Sequence, residues 1–435
     1  MFIFHNIYQI YKLKINGGII MKYKIKGVKK LEGIVNISGS KNASLPILAA
    51  SILNGKTATI YNLPDIKDVK TTLKILEILG CKVVKKRNKV IIDSSNMDKF
   101  VVPHDLMREL RSSVILAGSI IGRFKKAVFS YPGGCEIGAR PIDLHIENFK
   151  KIGINIEENA GYIVCNCDKI KSAEVHLEFP SVGATENIIL ASILSDAEII
   201  ITNAAMEPEI VDLQEFLNRM GAKVYGAGTN CIKIVGVKRL KEVSYTIMPD
   251  RIETGTFLSM CAATGGNLEL RNTNYNHIIP VLDKLEETGC RIEKNKNNIY
   301  IEAKKRLKAI DIKTLPYPGF PTDMQSIFLG MLCSAKGTSV ITENIFENRF
   351  KCVPELNRMG AKIKIEGNCA IVKGVRKLTG AEVRATDLRG GIALVIAGLT
   401  ANGITKVENI GFIERGYEKL ETKLTKIGAS IYKER

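Results

Sequence analysis

One short signature recurs six times along the chain: a helical stretch ends in Gly, one or two residues follow, and a strand begins. It stands at Gly80-Cys81-Lys82-Val83, Gly153-Ile154-Asn155-Ile156, Gly221-Ala222-Lys223-Val224, Gly289-Cys290-Arg291-Ile292, Gly360-Ala361-Lys362-Ile363 and Gly428-Ala429-Ser430-Ile431. The intervals are 73, 68, 68, 71 and 68 residues, too regular for unrelated helix caps. The chain therefore reads as six units of about 69 residues. A unit of that size is hardly stable alone, so units must share cores, and three plus three is the natural grouping.

Each unit carries the same parts. An apolar helix comes first, at 43–53, 112–121, 184–194, 254–263, 324–333 and 391–399, hydrophobic nearly all round and therefore buried. A strand follows, then an amphipathic helix such as 67–79 or 211–220, closed by the Gly that takes the left-handed C′ position. Two short strands finish the unit. This pattern predicts an α/β architecture. Polar or charged residues stand at the buried-helix starts: Lys41, Arg111, Asp250 with Arg251, Asp323, and Asp387 with Arg389. If the helices of one group run parallel, these side chains converge on a surface that attracts anions.

The charge balance of +18, from 63 Lys plus Arg against 45 Asp plus Glu, is compatible with nucleic-acid binding or with an enzyme of phosphorylated substrates. Basic runs such as Lys85-Lys86-Arg87 are short and lack interleaved aromatics, which disfavours a nucleic-acid partner. The ten cysteines show no Cys-x-x-Cys and the five histidines are scattered, so zinc spacing is absent. Nine of these cysteines read as small reduced core residues, which suits the cytoplasm. No apolar run reaches the ~18 residues of a membrane span. Residues 1–20 read as a mis-assigned start or a disordered extension, because Lys12 and Lys14 interrupt them and no small-residue cleavage site follows.

Two segments carry chemistry. Three glycines surround a thiol in Pro132-Gly133-Gly134-Cys135-Glu136-Ile137-Gly138-Ala139-Arg140-Pro141-Ile142-Asp143-Leu144-His145, either a plain Gly-rich turn or a mobile loop whose thiol Arg140 activates. Phe320-Pro321-Thr322-Asp323-Met324-Gln325 puts a carboxylate in the first turn of a buried helix. That is either a dipole or capping role worth about 1 kcal/mol, or a general base. Pro249 to Thr256 and Ile345 to Phe350 are dense in charge and equally suit ion pairs at a domain interface.

These segments, with Ser38-Gly39-Ser40-Lys41-Asn42-Ala43, Pro180 to Thr185, Glu207-Pro208-Glu209-Ile210-Val211-Asp212, Ala385-Thr386-Asp387-Leu388-Arg389 and Glu414-Arg415-Gly416-Tyr417-Glu418, resemble the UDP-N-acetylglucosamine 1-carboxyvinyltransferases, enolpyruvyl transferases of the EPSP synthase family. The likeness runs collinearly from about residue 21 to 435. It implies a two-domain inside-out α/β barrel of six units, with 21–41 plus 250–435 in one domain and 42–249, carrying the Cys135 loop, in the other. It also implies transfer of the enolpyruvyl group of phosphoenolpyruvate to the 3-hydroxyl of UDP-N-acetylglucosamine, without metal or organic cofactor, at the head of peptidoglycan synthesis.

By motif position the resemblance implies that Cys135 is the loop thiol, a proton donor and fosfomycin target. It implies that Lys41, Arg140 and Arg415 grip phosphoenolpyruvate with Asn42 beside them, and that Asp323 accepts or orients the sugar-hydroxyl proton. It further implies that Arg111, the segment Arg140, Pro141, Ile142, Asp143 and Leu144, then Ser181, Val182, Gly183 and Ile345 line the UDP-sugar site, that Asp387 and Arg389 support the site or its closure, and that Glu207 lies near the loop. The rivals are transfer to 3-phosphoshikimate and a basic RNA-binding scaffold on the same fold.

Overall fold

The computed structural model of the protein describes residues 21–131, 142–303 and 306–435, with Arg111 and Ser112 in backbone only. The 1–20 extension and, from the thiol loop, Cys135, Arg140 and Pro141 lie outside the described residues.

Six apolar helices occupy the interior: Lys41–Ala50, Ile115–Phe124, Val182–Ser192, Arg251–Thr264, Thr322–Leu332 and Leu388–Thr400. All but the second start two or three residues before the position expected from hydrophobicity, because the polar first turn belongs to the helix although it carries no apolar signal. The second is preceded by a 3-10 turn, Arg111–Val114, where a continuous helix was expected. Ser40, Ser181, Asp250 and Asp387 each accept a first-turn backbone N–H through their side chains. Gly390 and Gly391, in the first turn of the Leu388–Thr400 helix, have a packing reason. A Cβ on Gly390 would lie 2.6 Å from the capping Asp387 Oδ2, and one on Gly391 2.8 Å from Ile413.

The six repeat glycines all have positive φ, from 87° at Gly360 to 104° at Gly80. They end the surface helices Lys67–Ile78, Asp143–Lys151, Pro208–Arg219, Ile279–Glu287, Val353–Arg358 and Leu420–Lys426 and turn the chain into hairpins. Each hairpin joins a sheet whose second strand follows a buried helix and whose edge strand, parallel to it, comes from another unit. In the sheet of Lys126–Ser130 a single parallel bridge at Val101 takes that edge place.

The handoffs close into two rings. Val243–Thr246 returns to Thr57–Tyr61, and Leu31–Asn36 reaches Gly266–Arg271. The last hairpin is completed from the other end of the chain: Lys22–Lys26 inserts between Ile404–Glu408 and Ser430–Glu434. Two separate apolar cores result, one from Ala43 to Ile247, the other from Tyr23 to Ile37 plus Ile252 to Ile431.

An unexpected device fastens the parallel edges. Asn62, Asn203 and Asn272 follow three of the second strands in the left-handed conformation, with φ 53–57°. Their amides donate to Ile247, Leu177 and Ile37 carbonyls at 2.7–2.9 Å, just past each parallel strand. Asn tolerates that backbone and supplies the donor at once.

Seven of the nine described cysteines are buried as expected, but Cys231 is exposed and Cys369 half-buried, since both lie on the solvent side of hairpin strands; none is in a disulfide.

Where the chain passes from one core to the other, Lys423 Nζ donates to Glu253 Oε1 and Ser38 Oγ, both at 2.7 Å, and Ser38 N–H donates to Glu253 Oε2. Burial pushes the Glu253 carboxyl up, opposed by Lys423. Lys423→Met should cost about 3 kcal/mol. A raised carboxyl is harmless while protonated and costly once ionised, so the loss of melting temperature should be larger at pH 8 than at pH 5.

Candidate active site

The two passages of the chain between the cores lie side by side. Gly39 bridges Pro249, Ser40 N–H donates to Met248 O, and Asp250 N–H donates to Ser38 O. A Cβ on Gly39 would lie 1.8 Å from the Asn62 carbonyl oxygen, so no other residue fits. Asp250 joins two helix starts: Oδ1 accepts from Ile252 and Glu253 N–H, and Oδ2 accepts from Lys41 N–H at 2.9 Å. Lys41 is thereby fixed at the junction.

Its ammonium lies 2.9 Å from Asp68 Oδ2, and Arg415 Nε donates to Asp68 Oδ1 at 2.8 Å. Asp68 is the second residue of the Lys67–Ile78 helix, where the helix dipole favours an anion, and only 4% of its side chain is exposed. Burial lowers the Lys41 ammonium pKa, opposed by Asp68 and aided by Arg389 and Arg415. For Asp68 burial works upward, but Lys41 and Arg415 outweigh it and hold the carboxyl below its usual range. The convergence expected at helix starts is therefore present, yet Lys41 and Arg415 do not form an open anion surface. An internal carboxylate already neutralises them.

Asp323 carries the second cluster. Arg349 Nη2 donates to Oδ1 at 2.6 Å, Arg389 Nη2 to Oδ2 at 3.0 Å, and Asn42 Nδ2 stands 3.5 Å from Oδ2. Burial raises its carboxyl, but Arg389, Arg349 and Lys41 together hold it well below the carboxylate range. Such a group accepts and orients a hydroxyl hydrogen better than it takes the proton away. Glu343 shapes the adjoining turn by accepting from Ile345 and Phe346 N–H and from Thr322 Oγ1. Among the described residues the buried Nε–H groups of both Arg349 and Arg389 have no acceptor.

A third junction gathers the remaining segments. Asn187 Oδ1 accepts Gly118 N–H, and its Nδ2 donates to Val114 O and lies 2.8 Å from His145 Nδ1. The Ser181–Gly183 helix start meets the His145 ring, 3.1 Å from where a Gly183 Cβ would be. Ile142, Asp143 and Leu144 lead into His145, and the Arg111 backbone turn ends at Val114. The charged stretch after Pro249 forms a pair: Arg251 Nε donates to Glu209 at 3.0 and 3.2 Å.

The structure thus brings Lys41, Asn42, Asp323 and Arg415 together through their partners, and groups Ile142 to Leu144 with Ser181 to Gly183. Ile345 sits on the Glu343 turn. Sequence reasoning missed Asp68, Arg349 and Asn187. Asn187 left one signal, an amide beside Glu186 in a mostly apolar helix. Among the described residues no group of His, Cys, Asp and Glu is arranged to hold a metal, and no helix is long and apolar enough to cross a membrane.

The family described as EPSP synthase (3-phosphoshikimate 1-carboxyvinyltransferase) matches residues 25–424. A UDP-N-acetylglucosamine 1-carboxyvinyltransferase 2 of Caldanaerobacter subterraneus subsp. tengcongensis is 53% identical over 94% of this chain and 99% of its own. A UDP-N-acetylglucosamine 1-carboxyvinyltransferase of Geotalea uraniireducens is 47% identical over 94% and 98%. Among solved structures, the enolpyruvyl transferase NikO from Streptomyces tendae superposes with a TM-score of 0.87 at 22% identity, over 95% of this chain and 99% of that one. EPSP synthase from Acinetobacter baumannii gives 0.74 at 17% identity, over 95% and 100%. Those two establish the fold. With the family match spanning nearly the whole chain and the relatives' sequences agreeing end to end, the chain belongs to the EPSP synthase family, and within it to the group these curated relatives form.

Proposed function

We propose that the protein transfers the enolpyruvyl group of phosphoenolpyruvate to the 3-hydroxyl of UDP-N-acetylglucosamine, releasing phosphate, in the cytoplasm and at the head of peptidoglycan synthesis. The observation that carries this reading is the pairing of Lys41 and Arg415 on Asp68 beside Asp323 with its two arginines. It is a set of cations held ready by internal carboxylates that a substrate phosphate can replace. Two domains, 21–41 with 250–435 and 42–249, each an inside-out barrel of three units, suit the two cores and two rings of sheets.

In this reading the phosphate of phosphoenolpyruvate takes Lys41 and Arg415 from Asp68, with Arg140 from the loop. Its carboxylate satisfies the buried Nε–H groups of Arg349 and Arg389. The UDP-sugar lies along Arg111, Arg140 to Leu144, Ser181 to Gly183 and Ile345, and presents its 3-hydroxyl to Asp323. C3 gains a proton, from Cys135, and C2 becomes cationic. The sugar oxygen, oriented by Asp323, bonds to C2 and its proton passes to the phosphate group. C3 then returns a proton to the Cys135 thiolate as the C2–O bond to phosphate breaks, and phosphate leaves carrying the sugar-hydroxyl proton. Positioned cations stabilise each charge that develops, so the steps balance without metal or cofactor.

The test is phosphate release from phosphoenolpyruvate with UDP-N-acetylglucosamine, with 3-phosphoshikimate and with neither, for wild type and Cys135→Ala. Release that requires UDP-N-acetylglucosamine and falls at least about 100-fold in Cys135→Ala is expected. Release only with 3-phosphoshikimate, or none with either acceptor, would overturn the reading.

A further inference from the structure

Tyr417 is buried, 3% exposed, two residues beyond Arg415. Its hydroxyl lies 2.7 Å from Thr256 Oγ1 and accepts from Arg389 Nη1 at 2.9 Å. The direction of this chain is fixed by a third bond. Thr256 Oγ1 donates its only hydrogen to the Ile252 carbonyl at 2.7 Å. Tyr417 must therefore donate to Thr256, which leaves the phenol oxygen free to accept from the guanidinium. Burial pushes the phenol up to about 12, against the Arg389 charge, so the donor proton stays in place at neutral pH.

The bonds run Arg389 to Tyr417 to Thr256 to the Ile252 carbonyl, and on the other side Arg389 Nη2 reaches Asp323. One hydroxyl and one guanidinium so connect Thr256 of the Arg251–Thr264 helix with the first turns of Thr322–Leu332 and Leu388–Thr400. Each bond in such a chain polarises the next. A guanidinium held at both Nη atoms cannot rotate, and its orphaned Nε–H is held in a fixed direction.

We propose that Tyr417 is a positioning residue for the transfer reaction: its hydroxyl, backed by Thr256, sets the Arg389 plane against Asp323 for phosphoenolpyruvate. This rests on the transferase reading above. Without the hydroxyl, the Arg389 guanidinium keeps Asp323 as its one hydrogen-bonded partner among the described residues and turns toward it, shifting the cation away from the substrate. The aromatic ring 5.4 Å from the guanidinium carbon is unchanged by Tyr417→Phe.

The experiment compares wild type, Tyr417→Phe, Thr256→Val and Thr256→Ser by steady-state phosphate release and by direct binding of UDP-N-acetylglucosamine. Tyr417→Phe should lower kcat/KM for phosphoenolpyruvate about 10–100-fold, as sub-ångström misplacement of a positioning group does, while UDP-N-acetylglucosamine affinity stays within about twofold. Thr256→Val should show a smaller loss of the same kind and Thr256→Ser should restore it. An unchanged kcat/KM in Tyr417→Phe, or a loss shared equally by both substrates with a lowered Tm, overturns the proposal. Absence of acceptor-dependent release in the wild type overturns the transferase reading instead.

Discussion

Asp323→Asn is expected to lower turnover about 10³-fold, within the range for loss of a preorganised charged group that orients the reacting hydroxyl. The amide keeps the shape of the carboxylate but removes the charge that Arg349 and Arg389 share. Both guanidiniums are almost fully buried, 3% and 4% exposed, and would face each other without compensation. Removing one partner of a buried ionic group typically costs about 3–5 kcal/mol, so stability should fall along with activity. The pH dependence follows from the direction of the shift. Asp323 is held well below its ordinary value, so its stabilisation is complete above the unfolded carboxylate pKa and is lost only as pH falls through the folded one. The melting-temperature gap between wild type and variant should stay flat from neutral pH to about pH 4 and close in stronger acid. A gap that closes already near neutrality would contradict the assignment.

The second large effect is expected at Asp68. Asp68→Asn leaves Lys41 and Arg415 without their shared anion, one 14% and the other 29% exposed. Discounted for that partial exposure, the cost is about 2 kcal/mol, which lowers Tm by about 5 °C. Lys41 already has a lowered pKa through burial, and without Asp68 it falls further. An ammonium that binds its proton less tightly when folded makes stability rise with pH, so the variant should recover as pH climbs from 7 toward 10. Inorganic phosphate should stabilise Asp68→Asn more than wild type, because it no longer competes with a built-in carboxylate. Equal stabilisation of the two proteins would show that Asp68 does not hold the phosphate cations.

Much of this was legible in local pattern. The six glycines gave the units because a left-handed C′ position after a helix admits little else, and all six have positive φ. Lys41, Asp323 and Arg415 were marked by their segments. Their partners were not. Asp68 reads as an ordinary acid in the first turn of an amphipathic helix, and its bond to Arg415 spans 347 positions, which no periodicity records. Arg389 read as a support of the site and Arg349 as one charge in a dense stretch, but that both share the Asp323 carboxylate shows only in the fold. The strand Lys22–Lys26 carries no sign that it completes a sheet at the far end of the chain, because edge-to-edge pairing depends on closure of the ring rather than on its own residues. Asn62, Asn203 and Asn272 were visible as letters, yet each needed a carbonyl from a distant strand to give it a role.

The central claim concerns which bond forms, so product analysis tests it most directly. Wild-type protein incubated with phosphoenolpyruvate and UDP-N-acetylglucosamine should yield, by proton and carbon NMR, a vinyl ether on O3 of the sugar, in amounts equal to the phosphate released. Phosphate release without that ether, or the ether appearing on 3-phosphoshikimate and not on the UDP-sugar, would contradict it.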